Sequence, residues 1–145
     1  SRSRQPSLMI CRIYKEVQFD ASHRLLHYKG KCACLHGHRW KVEVWMEGQV
    51  DGRTGILVDY NTIKNVIGRY DHQIILNEGD PMVQAITAFH PVITTPGEPT
   101  SELLASLIAG MLNEECRVLG LDARVIRIRV WESPSCHAEV NYESQ

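Results

Sequence analysis

His23, Cys32, His36 and His38 crowd four metal-seeking side chains into the stretch Phe-Asp-Ala-Ser-His-Arg and the following Cys-Ala-Cys-Leu-His-Gly-His. Three neutral imidazoles leave one position of a tetrahedral zinc ion open. That is the arrangement of a catalytic ion, because water or substrate must enter the fourth position; a structural zinc is closed by four protein ligands. On an extended strand His36 and His38 would point the same way, about 7 Å apart. A His-x-His pair alone is weak evidence, and His23 supplies the third ligand. The bland alternative is a set of satisfied histidines near a surface.

Other residues offer acid–base chemistry. Cys32 lies four residues before His36, where it could be a fourth ligand, a general base or a nucleophile. A thiol beside a metal is easily deprotonated, whereas a buried cysteine far from charge is inert. Cys34 competes for any of these roles, and spacing does not separate the two. Asp71-His72 sets a carboxylate beside an imidazole, which can fix a tautomer. Residues adjacent in sequence rarely face one another, so the dipeptide also reads as the polar end of a helix. Glu132 falls on the apolar face of a strand, where an unpaired charge is costly. It suits a ligand with paired N–H donors, or it reaches solvent. Glu102 has a plain reading as an acid in the first turn of a helix.

Several elements must position these groups. Ile10–Phe19 alternates as a strand, and residues 21–31 read as irregular. Leu35–Glu47 is the clearest strand, with His36, His38, Trp40, Val42, Val44 and Met46 on one face. Gly37 permits close approach between the two histidines. Residues 55–58 suggest a short strand. Asp59 caps a helix carrying Ile63, Val66, Ile67 and Tyr70, with Asp71-His72 at its end. Residues 77–99 read as one long functional or interface loop. Thr100 opens a second helix, and Gly120 lies just past its end. Arg124–Glu132 is the last strand. The order implies an α+β domain with helices on one face of an antiparallel sheet.

Composition narrows the class. The chain has 145 residues, 43% hydrophobic and 23% charged, with a net charge of −1. Nothing in that balance argues for a nucleic-acid partner, and no apolar run has membrane-spanning length. An odd, scattered set of cysteines (Cys11, Cys32, Cys34, Cys116, Cys136) reads as reduced cytoplasmic thiols. Residues 1–8 read as a tag or disordered tail, and residues 9–145 as a single domain.

Taken together, Phe-Asp-Ala-Ser-His-Arg at 19–24, Cys-x-x-x-His-Gly-His at 32–38, Val-Asp-Tyr at 58–60, Tyr-Asp-His at 70–72 with Leu76-Asn77, Pro-Thr-Ser-Glu at 99–102 and Trp-Glu-Ser-Pro at 131–134 resemble the 6-pyruvoyltetrahydropterin synthase / 6-carboxytetrahydropterin synthase family. The resemblance runs from about Tyr14 to Glu139. It implies the tunnelling fold: a four-stranded antiparallel sheet with two helices on one face, oligomerising into a barrel as a trimer or hexamer with active sites between subunits. It implies that His23, His36 and His38 hold Zn2+, and that Cys32 is the catalytic base. Asp71 and His72 would be the dyad that activates it, from a neighbouring subunit. Glu132 would anchor the pterin ring, with Thr100, Ser101 and Glu102 in the segment that binds it.

The implied substrate is 7,8-dihydroneopterin triphosphate. The carboxy branch would give 6-carboxytetrahydropterin, acetaldehyde and triphosphate, feeding 7-deazaguanine and queuosine synthesis. The pyruvoyl branch would eliminate triphosphate from the same substrate. A compact chain favours the carboxy branch. Two further readings are a dihydroneopterin aldolase-like homologue and a non-catalytic pterin-binding protein. Cys32 argues against the first, and Cys32 with Asp71-His72 exceeds what mere binding requires. Arg39-Trp40, Cys34 and the 89–99 segment depart from the usual pattern; Arg39 reads as solvated on the outer face or as a triphosphate contact.

Overall fold

The computed structural model describes residues 9–144, so the expected tail at 1–8 lies outside the described residues. Two long strands form its centre, β1 (Ile10–His23) and β2 (His36–Gln49). They pair antiparallel along their full length, with Phe19 opposite Trp40, Ala21 opposite His38 and His23 opposite His36. The even positions of β2 face inward as their alternation requires, and Trp40, Val42, Val44 and Met46 are fully buried. β1 differs from the sequence reading by continuing past Phe19. Ala21 and His23 keep the inward alternation, and Gln73–Ile75 pairs with residues 21–23 from the other side.

Four more strands complete the sheet; one is the strand expected at 124–132, and the other three were not foreseen. They are β3 (Gln73–Asn77), β4 (Val92–Thr95), β5 (Ala123–Ser133) and β6 (Cys136–Asn141). The order is β4-β3-β1-β2-β5-β6. β1, β2, β5 and β6 pair antiparallel in that order, whereas β3 joins the other side of β1, and β4 joins β3, in parallel. The expected four-stranded antiparallel sheet with two helices is therefore corrected to a mixed six-stranded sheet with three helices. The parallel addition is possible because α2 (Met82–Thr87) carries the chain back between β3 and β4. A strand at 55–58 does not form; Leu57 and Val58 are buried through a bend.

The helices follow their capping signals. Asp59 accepts a hydrogen bond from the Asn61 N–H at 2.8 Å and starts α1 (Tyr60–Ile67). The Thr100 hydroxyl accepts from the Leu103 N–H at 3.1 Å and starts α3 (Ser101–Val118). Gly120, at φ 70, lets the chain leave α3. Ile63, Val66 and Ile67 from α1, and Leu104, Ile108 and Leu112 from α3, close the core over the inner face of the sheet. In β5 a bulge sets Val125 and Ile126 against the single step Trp45–Met46, so two consecutive residues are buried. Among the described residues no helix is long and apolar enough to cross a membrane.

One ion pair ties α2 to the end of β1. Asp80 is 3% exposed and accepts the Arg24 guanidinium at 2.6 Å and 2.5 Å, and the Met82 N–H at 2.8 Å. The Arg24 hydrogen bond holds the Asp80 carboxyl below its ordinary value, against the opposing effect of burial. A depressed folded pKa adds stability that is present above the unfolded value of 3.8 and is lost as pH falls below it. Asp80→Asn is expected to cost about 3 kcal/mol at pH 7, because a half-buried guanidinium is left without its anion. Urea titrations at pH 7 and pH 3 would check this, and an equal loss at both pH values would contradict it.

Candidate metal centre and active site

The β1–β2 register builds the centre. His23 and His36 are direct cross-strand partners, and His38 lies one alternation further along the same inward face. Ring centroids are 4.8 Å apart for His23–His36, 5.2 Å for His23–His38 and 4.7 Å for His36–His38. Trp40 forms the floor, with its ring edge-on to His23 at 4.9 Å and to His38 at 5.5 Å. Its indole N–H donates to the Ala21 carbonyl at 3.1 Å, which fixes that floor.

Backbone carbonyls select the tautomers. The Pro99 carbonyl accepts from His23 Nδ1 at 2.7 Å, and the Cys34 carbonyl accepts from His36 Nδ1 at 2.6 Å. A carbonyl has no proton to give, so in the neutral rings Nδ1 carries the proton and Nε2 keeps its lone pair. Burial pushes the His23 and His38 imidazoles below their ordinary pKa, which favours these neutral forms at neutral pH.

The residues fit a bound cation. The three ligand atoms lie within 4.8 Å of one another, so small side-chain rotations bring them to the ~3.4 Å edges of a tetrahedral zinc site. Nε2 of His23 and Nε2 of His38 are buried without a hydrogen-bond partner. Glu132 brings a carboxylate oxygen to 3.5 Å from the first and 3.9 Å from the second. The His23 Nε2 lone pair faces a carboxylate, which repels it unless positive charge lies between them, so this orphaned nitrogen and the carboxylate together suit a divalent ion.

Cys32 stands apart from the three ligand atoms. It sits half-buried in a 3-10 turn (Lys31–Ala33) just before β2 and is not a member of the histidine cluster. Cys34 is exposed, and its contribution to the centre is its backbone carbonyl. Asp71 and His72 do face one another, contrary to the expectation for adjacent residues, with His72 Nδ1 at 3.1 Å from Asp71 Oδ1. The reason is local. His72 has φ 61, the one positive φ among the described non-glycine residues, and that turn folds its ring back. Both residues are pinned to β1: the Asp20 N–H donates to Asp71 at 3.0 Å, and the His72 N–H donates to the Asp20 carbonyl at 2.6 Å. The Asp20 N–H is the chief cause that holds the Asp71 carboxyl below its ordinary value.

Two concavities share His38. One, of about 400 Å³, is lined by Glu132, Trp131, Pro134, Lys41 and Gln18 as well as His38. The other is a shallow groove of about 470 Å³ that also takes in His72, Arg39 and His90. The structure thus brings Glu132 and the Asp71-His72 pair to the rims flanking the histidine cluster. Thr100 serves as the α3 cap, Ser101 donates to Glu102 at 3.2 Å, and Glu102 is exposed at the helix start. Arg39 is exposed and pairs with both Asp20 oxygens at 3.1 Å, and it lines both concavities beside His38. Sequence reasoning missed the Pro99 and Cys34 carbonyls, because a backbone acceptor leaves no residue-type signal. It also missed Trp40 as a floor, although its place on the His36–His38 face was a usable clue.

The structure is thus a mixed-sheet α+β scaffold whose two central strands carry a three-histidine cluster able to hold a metal ion. A family profile described as 6-pyruvoyl tetrahydropterin synthase matches residues 12–143, and the chain belongs to that family. A Rickettsia bellii 6-carboxy-5,6,7,8-tetrahydropterin synthase is 30% identical over 136 residues, covering 87% of this chain and 96% of the relative. A Pyrococcus abyssi protein, assigned the same name provisionally, is 34% identical over 144 residues, covering 89% and 88%. The fold also matches the solved 6-pyruvoyl tetrahydropterin synthase of Plasmodium vivax, with a TM-score of 0.66 at 21% identity over 91% of this chain and 97% of that one.

Proposed function

We propose that the protein is a zinc-dependent 6-carboxy-5,6,7,8-tetrahydropterin synthase acting on 7,8-dihydroneopterin triphosphate, with acetaldehyde and triphosphate released. The observation that carries this reading is the three-histidine cluster, in which Nε2 of His23 and of His38 are buried without a partner beside the Glu132 carboxylate. The names of the relatives in bacteria and archaea favour the carboxy product over the pyruvoyl one. His23, His36 and His38 would hold the ion, which when bound supplies Lewis acidity to the hydroxyls of the substrate side chain.

The remaining work falls to this chain's residues. Glu132 accepts the paired N–H groups of the pterin ring from the rim of the 400 Å³ cavity. Cys32 removes a side-chain proton as thiolate. Asp71 orients His72, which passes protons to and from solvent through the groove it shares with His38. Thr100, Ser101 and Glu102 shape the ring-binding edge at the start of α3.

Assembly into the tunnelling-fold barrel is part of the proposal. Among the described residues, residues 10–20 of β1 pair only with β2, β4 only with β3 and β6 only with β5, so three strand edges are open to other copies. Five free cysteines support a reducing, cytoplasmic setting.

The deciding experiment is anaerobic incubation of the zinc-loaded protein with 7,8-dihydroneopterin triphosphate, followed by mass spectrometry of the pterin and an acetaldehyde assay. A 6-carboxy pterin with acetaldehyde is the expected result. A 6-pyruvoyl product without acetaldehyde would move the protein to the other branch, and the absence of any turnover would sink the synthase reading.

A further inference from the structure

Cys32 and the histidine cluster lie on segments of different character, joined through the Cys34 carbonyl that accepts from His36 Nδ1 at 2.6 Å. The histidines sit on paired strands. Residues 24–35 lack strand structure and close on themselves through the Leu25 N–H, which donates to the Cys32 carbonyl at 2.9 Å. Such a loop keeps its tip where its base is held.

Beyond the Arg24–Asp80 pair, the start of the loop is held by one acceptor side chain. Glu98 Oε1 accepts from the Leu26 N–H at 3.1 Å, and Oε2 accepts from the His27 N–H at 2.8 Å. The Asn77 side-chain amide donates to Oε1 at 2.8 Å and aligns the carboxylate. Burial works to raise the Glu98 pKa, but these donors outweigh it and hold the group ionised. The next residue, Pro99, is buried and supplies the carbonyl that sets the His23 tautomer. The Thr100 N–H donates back to the Glu98 carbonyl at 2.8 Å, so the dipeptide is fixed to the start of α3. One dipeptide therefore grips both parties: its carboxylate holds the cysteine loop, and its carbonyl orients a histidine of the metal centre.

We propose that Glu98 is a positioning residue whose carboxylate, anchored by Asn77, fixes the Cys32 loop relative to the His23–His36–His38 centre so that thiol and centre act on one substrate. The inference rests on the synthase reading for its catalytic consequence, but not for its geometry. Glu98→Gln is nearly isosteric and replaces one acceptor with an amide that faces another donor. The loop loses one of its two backbone anchors while the core is untouched.

The test uses the zinc-loaded full chain. Iodoacetamide labelling with peptide mapping reads Cys32 and the exposed Cys136 separately. For Glu98→Gln the Cys32 rate is expected to rise about tenfold, with the Cys136 rate and the zinc content unchanged. kcat is expected to fall about 30-fold with KM within about twofold, since a small misplacement of a reacting group costs rate more than binding. A purely structural staple would instead lower the melting temperature and speed the labelling of Cys32, Cys136 and the buried Cys116 together.

That uniform pattern, an unchanged Cys32 rate, or an unchanged kcat in an active enzyme would each overturn the proposal. If Glu98→Gln is recovered unfolded, Glu98→Asp, with both acceptors on a shorter arm, takes its place under the same criteria. If the wild type does not turn over the pterin triphosphate, the synthase reading fails, while the labelling comparison still decides what Glu98 does.

Discussion

Cys32→Ala is expected to keep its full zinc content and to lose turnover by about three orders of magnitude, the scale of a missing general base. Two features separate the thiol from the ion. Cys32 lies outside the cluster formed by His23, His36 and His38. Its structural contribution is a backbone carbonyl accepting from the Leu25 N–H, which alanine preserves. The loop and the ligands should therefore survive the substitution, and only the proton acceptor is lost. Cys32→Ser should be nearly as inactive, since a hydroxyl is a far weaker base than a thiolate at neutral pH. Cys34→Ala should be close to wild type, because His36 leans on the carbonyl of Cys34 and its side chain is exposed. Zinc analysis after dialysis, with single-turnover kinetics, checks all three. Loss of zinc from Cys32→Ala would make Cys32 a ligand. Activity within tenfold of wild type would shift the proton to Asp71-His72 or Cys34.

The parts of this design that were legible in the sequence are those written in side-chain type and period. The alternation from His36 to Met46 placed both histidines inward, and the structure keeps every one of those positions on that face. Asp59 and Thr100 marked helix starts because a side-chain oxygen at that position has an orphan N–H to satisfy. What escaped depends on partners distant in sequence. Ala21 to His23 looked irregular because β1 is held there by β3, which begins only at Gln73. β4 hid between Pro91 and Pro96, and β6 hid in the polar run Cys-His-Ala-Glu-Val-Asn, where pairing with β5 overrides weak propensity. The same blindness applied to the site. Adjacent residues rarely face one another, and nothing in the Asp71-His72 dipeptide announces the left-handed backbone at His72 that lets them meet.

His23→Ala and His36→Ala separate metal binding from stability, because the two ligands are held differently. Each removes one of three imidazoles and is expected to weaken zinc by about a thousandfold, roughly a third of the binding free energy of such a site. Their effects on the metal-free fold should diverge. His23 is 1% exposed, packs edge-on against Trp40 at 4.9 Å and satisfies the buried Pro99 carbonyl. Its loss leaves a cavity and an unpartnered acceptor, together about 3 kcal/mol. His36 is partly exposed, and its carbonyl partner belongs to the exposed Cys34, where water can replace the ring; its loss should cost under ~1 kcal/mol. The comparison belongs at pH 8 with a chelator present. Burial lowers the His23 pKa, so the metal-free wild type loses stability as pH falls below the 6.5 of a free imidazole, and that loss would blur the difference. Urea titration reads the stabilities, and metal analysis after dialysis reads the affinity. Equal stabilities for the two variants would mean that the Pro99 contact and the Trp40 floor contribute nothing without the ion. Zinc retained by His23→Ala would mean that His36, His38 and the Glu132 carboxylate hold the ion without it, and would replace the three-histidine centre with a two-histidine, one-carboxylate site.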